Sequence, residues 1–478
     1  MSCSKFLIGS RPWLCVLALF SLGCPSNPSI TSSGTGGRGR ANNGHGGNAG
    51  QPGPDFTFDP TDAGASQTTQ TMPPKVCNNL CLKQMKCPAG KDTTLSGTVY
   101  APTPPAFGAA DPLYNATVYV PNATVEPFTP GVTCNMCAAV SSGSPLVITA
   151  TGPDGNFVLK NVPVADNLPL VIQVGRWRRQ VKIPKITPCA DNPLPAEMTR
   201  LPRNKTEGDI PLIAISTGRV DALECVLRKI GVDNAEFTLP SGDGRIHIYR
   251  ENGASLGLDT PPASALSGNL DTLKRYDIAL FECEGNPIPK PGPNKQNVVE
   301  YANAGGRVFL THYSYTWLYD MPPFMGVATW AADSPHPTIM DTAITGIIDQ
   351  DFPKGMAFAQ WLDIVKATNP MPGQIQINVP RHDLDAVIAP TRRWIHTDAP
   401  LTVQHFTFNT PVGTDEDKQC GRVLFSDFHV NSIMGGDLAT FPNECQDTPL
   451  TPQEKVLEFV LFDLSSCVQP DSKPPIIR

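Results

Sequence analysis

Two histidines and a cysteine carry most of the chemistry legible in this chain. His312 follows the apolar run Arg307-Val-Phe-Leu-Thr311, and His429 closes the run Gly421 to Phe428, with Asp427 two places before it. Each run reads as a buried strand, so each imidazole stands at a strand's carboxyl end. Imidazole titrates near neutral pH, which suits proton transfer or metal ligation. In open α/β sheets the ligand lies outside the carboxyl ends of the strands. Two further strand ends fall on the same edge, Ser216-Thr217-Gly218 and Glu282-Cys283-Glu284-Gly285. His312 and His429 are therefore the acid–base candidates, with Asp427 or Asp320 as a charged third partner. Aromatic residues crowd the stretch after His312. Tyr313, Tyr315, Trp317 and Trp330 are the binding candidates, because aromatic faces stack on apolar ligand surfaces. A packed loop core accounts for the same residues equally well.

Cys283 is read differently. A thiol nucleophile needs a lowered pKa, and flanking Glu282 and Glu284 raise it. A disulfide, with Cys225 as the partner considered, is the expected state. Fourteen cysteines, less Cys3, Cys15 and Cys24 of the leader, leave eleven. In an oxidising compartment these pair by default. The disulfide candidates are Cys134, Cys137, Cys225, Cys283, Cys420 and Cys445. Eleven is odd, so at least one thiol stays free or pairs outside the chain. A zinc reading of Cys77, Cys81 and Cys87 with Cys134 and Cys137 lacks two clean C-x-x-C knuckles. No metal and no cofactor is expected: there is no Gly-rich phosphate loop, no metal-ligand motif on a helix and no Ser elbow.

The compartment is read from the first residues. Lys5 and Arg11 precede the uncharged run Trp13 to Leu22, too short to span a bilayer and suited to a signal peptide. It ends Ser21-Leu22-Gly23-Cys24, which resembles a bacterial lipobox, although Leu22 sits one place late. The resemblance implies a lipidated Cys24 and a protein anchored to the outer membrane or cell surface, or held in the periplasm. The Gly-, Ser- and Asn-rich stretch after Cys24 has too few apolar residues for a core. It reads as a flexible tether with a reach of roughly 40 Å. The net charge of -7 excludes a nucleic-acid partner, which asks for a basic face.

The elements that must position the candidate residues fall into two groups. From Thr94, short alternating runs are separated by turn residues, as in Leu95 to Tyr100, Ala116 to Val120, Leu146 to Thr149 and Leu170 to Val174. Such strands make an all-β sandwich. From Ile210 the pattern changes to buried strand, helix, buried strand: Ile210 to Ile215, a helix from Val220 to Ile230, Tyr276 to Phe281, a helix from Gln296 to Ala304, then Arg307 to Thr311. That order gives an α/β domain with a mainly parallel sheet. Thr451-Pro452-Gln453-Glu454 reads as a capping box opening a last helix. The expected organisation is a leader (1–24), tether (25–75), Cys-rich connector (76–92), sandwich (93–187), linker (188–207), α/β domain (208–468) and tail (469–478).

Both portions resemble known families. The phrases LSGTVYAP, NATVYVP, TGPDGNFVLKNVPV and LVIQVGRW resemble a carboxypeptidase regulatory-like domain. That implies a prealbumin-like sandwich serving as spacer or binding module. In that setting Trp177, among Arg176, Arg178 and Arg179, is a candidate exposed sugar-stacking aromatic. The segments NVVEYANAGGRVFLTHYSYTW and CGRVLFSDFHV resemble the trehalose-utilisation-protein-like branch of the class I glutamine-amidotransferase-like fold. That implies a flavodoxin-like domain with His312 and His429 at strand ends. Amidotransferases place a Cys nucleophile where this chain has Leu310-Thr311-His312-Tyr313-Ser314, so glutamine hydrolysis is not expected. Two functions stand. The leading one is a non-enzymatic cell-envelope protein with a binding or structural role toward a polysaccharide or peptide. The alternative is a hydrolase, lyase or isomerase acting on a carbohydrate-like ligand through His312 and His429.

Overall fold

Alternation of apolar and polar side chains pairs the segments after Thr94 into two sheets. A computed structural model describes residues 70–71, 77–137, 141–331, 342–430 and 440–475. The apolar leader, Cys24 and the tether up to residue 69 lie outside the described residues. Strands β1 (Thr94–Thr98), β2 (Thr117–Pro121), β3 (Pro145–Ala150), β4 (Asn156–Leu159), β5 (Asp166–Val174) and β6 (Trp177–Lys185) build the sandwich. One sheet runs β3-β2-β5-β6, with Gln70–Thr71 and Gly208–Asp209 at its edges, and the other runs β4-β1 followed by Asp191–Pro193. The linker thus supplies strand residues of its own, and Cys189 within it bonds Cys87.

The α/β portion is organised by strands β7 (Ile213–Thr217), β8 (Ile246–Arg250), β9 (Ile278–Phe281) and β10 (Arg307–Thr311) with helices α1 (Leu223–Ile230) and α2 (Gly292–Asn303). Next come β11 (Ile344–Ile348), α3 (Pro353–Ile364), β12 (Gln374–Ile377), β13 (Arg392–Asp398), β14 (Leu401–Thr410), β15 (Gly421–Ser426) and α4 (Pro452–Ser465). One ten-stranded sheet runs from Phe237–Thr238 through β8-β7-β9-β10-β15-β14-β13-β11-β12. The half from β8 to β15 is parallel. The half from β15 to β12 is antiparallel. With the parallel pairing of Phe237–Thr238 to β8, five pairings are parallel and four antiparallel, so the sheet is mixed. Only Ala399 and Pro400 join β13 to β14, and a two-residue link can form a hairpin but no parallel crossover. The chain therefore makes a multidomain, sheet-rich structure with few helices.

Helix α4 lies where the two portions meet. Its N-terminus is the expected capping box: Glu454 N–H donates to Thr451 Oγ1 at 3.2 Å, and Thr451 N–H donates to Glu454 Oε2 at 2.8 Å. Glu454 also takes a buried ion pair from Lys229 of α1 at 2.8 Å. The opposite side of α4 faces the sandwich, with Phe462 against Trp177 and Phe459 stacked on Tyr114. Trp177 is therefore core, which corrects the sugar-stacking reading. Gly175 is required here, since a Cβ would stand 1.7 Å from Ser465 O. Two disulfides, Cys134–Cys420 and Cys137–Cys467, tie the long loop between β2 and β3 to the α/β portion. The segment expected as a tail is also held, because buried Asp471 pairs with Arg422 of β15 at 2.8 Å.

Glu458 of α4 is buried at this junction beside Asp111. Burial first, and then Asp111, push its carboxyl well above the usual range, so the folded chain keeps the proton. The unfolded chain releases it near pH ~4.3. The stability from this group is thus fully present below that pH and is lost as pH rises through the raised folded value. Glu458→Gln keeps the shape and removes the titration. The melting temperature of the variant relative to wild type should climb between pH 5 and pH 8; a flat or falling difference contradicts this.

Candidate functional site

Parallel register decides what meets at the sheet's edge. β7, β8 and β9 share one level, with Ile213 beside Ile246 and Ile278. β9, β10 and β15 continue it, with Phe281 beside Leu310 and Leu310 beside Phe425. β7 sends its next strand, β8, to one side and β9 to the other. The strand order therefore reverses between β7 and β9, the place where open α/β sheets leave a crevice. The chain leaves β7 at Gly218, β9 at Cys283, β10 at His312 and β15 at His429.

Cys283 is the free cysteine among the described residues, and it is fully buried. This corrects the disulfide expectation: Cys225 bonds Cys445 instead. Cys77–Cys81 and Cys87–Cys189 are also disulfides, which leaves no thiols there for the weighed zinc knuckles. Cys283 Sγ lies 3.2 Å from His312 Nδ1. Its own N–H donates to Thr311 Oγ1 at 2.9 Å, and Gly285 N–H reaches Sγ at 3.4 Å. Burial, then the Asp221 carboxylate, hold the thiol well above its usual pKa, so it stands protonated and poor as a nucleophile.

His312 and His429 meet edge to face, with ring centroids 4.6 Å apart. Each imidazole is backed by a carboxylate. His429 Nδ1 lies 2.9 Å and 3.0 Å from the two oxygens of Asp221. His312 Nε2 lies 3.5 Å from Asp383 Oδ2. His312 adopts φ of 36°, a left-handed conformation uncommon outside glycine, as the chain turns sharply from β10 into a 3-10 turn. Asp427, the predicted third partner, receives the Asp383 N–H at 2.9 Å. Burial, then the neighbouring Asp383, push it well above the carboxylate range. Glu282 caps the first turn beyond β7, accepting from Gly218 N–H at 2.7 Å and Leu223 N–H at 2.9 Å. Gly218 cannot be larger, because a Cβ would stand 2.3 Å from Cys283 O.

Asp320, the other predicted partner, lies elsewhere, paired with Lys295 at 2.7 Å. The aromatic binding candidates are also corrected. Tyr315 and Trp317 are buried in an apolar cluster, Trp317 lying 4.7 Å from Phe281. Tyr313 and Trp330 are partly buried and pack against the same cluster. The turn after β10 folds inward, with Trp317 meeting Phe281 and Tyr315 meeting Trp330. Sequence reasoning missed Asp221 and Asp383. Asp221 was within reach, four residues past β7. Asp383 sits just before the short strand Leu384–Val387, whose pairing with Ala328–Trp330 is non-local.

Both histidines are buried, His312 2 % and His429 3 % exposed. Open space is found at the junction of the sandwich and the other end of the sheet. A cleft of about 570 Å³ is lined there by Phe128, Arg176, Lys205, Arg245, Lys274 and Arg275, with Asp209, Asp271 and Asp277. Arg176 is held by Asp277 at 2.9 Å, and Arg178, stacked 4.0 Å over Phe128, by Asp209 at 2.8 Å. A second cavity of about 320 Å³ shares Phe128 and Arg176 with the first.

No family model matches this sequence, and no curated protein matches it. Among solved structures it is similar to a cytoplasmic protein from Salmonella typhimurium (11 % identity, TM-score 0.28, 47 % of this chain and 90 % of that one). It is also similar to PurLQS from Thermotoga maritima (12 % identity, TM-score 0.27, 53 % and 99 %). A putative ThuA-like protein from Bacteroides uniformis is a third (10 % identity, TM-score 0.27, 52 % and 88 %). Likeness of this size says nothing of activity.

The buried, protonated thiol makes a chemical prediction. Iodoacetamide at pH 8 should leave Cys283 of the native protein unlabelled over minutes, and label it fully in denaturant without reductant. Rapid native labelling, or more than one thiol labelled between residues 77 and 475, contradicts the site described.

Proposed function

We propose that this chain is an exported lipoprotein of the cell envelope, anchored through Cys24, whose role is to bind an acidic polysaccharide. The reading takes the sandwich as carboxypeptidase regulatory-like and the α/β portion as a flavodoxin-like, amidotransferase-like fold. Export is supported by five disulfides among the described residues, which form and persist outside reducing compartments. No described helix is long and apolar enough to cross a membrane, so attachment falls to the lipid on Cys24.

The observation that carries the binding role is the junction cleft. Its volume suits a few sugar units. Five cationic and three acidic side chains line it, and Lys274 and Arg275 make no ion pair among the described residues. A ligand bearing carboxylates meets that surplus. The second reading, an enzyme using His312 and His429, is favoured by the two carboxylate-backed imidazoles at 4.6 Å. Their burial counts against it, since an acid–base pair must reach its substrate directly or through one water.

Two measurements test the proposal. Calorimetric titration with a polyuronate should show binding that weakens as salt rises. A neutral glucan of matched length should bind at least tenfold more weakly. The Lys274→Glu/Arg275→Glu variant should lose the preference, and His312→Ala should keep it. Equal affinity for both polymers, or an unaffected double variant, overturns the reading. Separately, Cys24→Ser should move the protein from the membrane fraction to the soluble fraction; wild-type protein already soluble would remove the anchor.

A further inference from the structure

We propose that Cys283, His312 and His429 form a binding site for a divalent transition-metal ion of the zinc type. The site is separate from the junction cleft and does not depend on it. One ligand atom from each residue lies within 4.8 Å of the others. Zinc takes thiolate sulfur at about 2.3 Å and imidazole nitrogen at about 2.0–2.1 Å, which sets tetrahedral ligands roughly 3.3–3.6 Å apart. The Sγ to His312 Nδ1 distance of 3.2 Å is a few tenths of an ångström shorter than that spacing. The third ligand, His429, lies within 4.8 Å of the other two and must move inward by up to about 1.5 Å.

The surroundings of the two imidazoles identify the chemistry more sharply than the distances do. Asp221 holds His429 Nδ1, which leaves Nε2 to carry the lone pair. Asp383 faces His312 Nε2, which leaves Nδ1, on the Cys283 side, as the coordinating nitrogen. Carboxylates placed behind ligating histidines fix tautomer and ring orientation and raise ligand basicity. The Asp221–His429 pair at 2.9 Å is such an arrangement, and Asp383 approaches the far nitrogen of His312 at 3.5 Å. The donor set is also selective. Thiolate with imidazole suits zinc, whereas magnesium and calcium ask for oxygen.

Charge and size agree. Asp221, Asp383, Asp427 and Glu282 are all buried around the cluster. A metal ion offsets the Asp221 carboxylate and the thiolate it would bind. Cys283, His312 and His429 are at most 3 % exposed, which admits an ion and excludes a sugar. On binding, Cys283 gives its thiol proton to solvent and both imidazoles bind as neutral rings. Three protein ligands leave a fourth position for water. The other thiol-containing group, Cys225 and Cys445 with Glu444, is closed to a metal because its sulfurs are bonded to each other.

The test uses the full chain, purified, stripped with chelator and titrated with Zn²⁺ and with Co²⁺. Wild type should bind one equivalent of either at micromolar or lower concentration. The Co²⁺ form should show visible bands of tetrahedral intensity and a near-ultraviolet sulfur-to-cobalt band. Cys283→Ser should lose the near-ultraviolet band. Asp221→Asn, which spares all three ligands, should weaken zinc binding about 10–100-fold. Near-ultraviolet circular dichroism establishes that each variant is folded. Absence of saturable binding by wild type at 100 µM metal overturns the proposal without any variant. An unchanged cobalt spectrum in folded Cys283→Ser also overturns it. Polyuronate binding that survives metal stripping leaves the cleft reading standing whichever way the metal result falls.

Discussion

The parallel register of β7, β9, β10 and β15 is the constraint on which the rest of the structure depends. Parallel neighbours hydrogen-bond evenly and run in one direction, so four successive chain exits fall on one edge at one level. Cys283, His312 and His429 come from strands far apart in sequence, yet this alone brings them together. A slip of one residue in β10 would turn its buried set to the opposite face and carry His312 away from Cys283. The buried runs Ile213 to Thr217, Ile278 to Phe281 and Arg307 to Thr311 oppose such slippage, since both faces of each are covered.

A cluster so placed is expensive to bury. Four acidic groups out of water cost several kcal/mol each unless protonated, hydrogen-bonded or neutralised. Hydrogen bonding meets much of that cost: Glu282 accepts two backbone N–H groups, Asp427 accepts the Asp383 N–H, and Asp221 pairs with the His429 ring. A cation adds a further offset at the cluster's centre. The rest of the molecule supplies the rigidity. Cys134–Cys420 closes a separation of 286 residues. With that bond made, Cys137–Cys467 closes a ring of only about 50 residues, worth about 4 kcal/mol in the chain-entropy picture. Sandwich and sheet are thereby held on either side of α4, and the junction cleft keeps its shape.

Much of this was legible in the sequence where a pattern is local. Continuous apolar runs announced β7, β9 and β10, and Thr451 with Glu454 announced α4. The residues just beyond each strand's carboxyl end included Cys283, His312, Asp427 and His429. An odd cysteine number announced a free thiol. What failed was non-local. Pairing Cys283 with Cys225 ignored that α1 turns Cys225 away toward Cys445. Tyr315 and Trp317 look like ligand-binding aromatics in sequence, because composition does not say whether a turn folds outward or back onto Phe281. Asp383 stands just before the short strand Leu384–Val387, which pairs with Ala328–Trp330, and that long-range pairing is not visible in the sequence. The antiparallel half of the sheet was hidden in a two-residue link.

The most direct measurement is zinc-edge X-ray absorption on the metal-loaded protein. One sulfur at about 2.3 Å with two imidazole nitrogens and one further nitrogen or oxygen near 2.0–2.1 Å is the predicted coordination. That result would require Cys283, His312 and His429 to meet as the register places them. A set of nitrogen and oxygen ligands without sulfur, or one with several sulfurs, would contradict it.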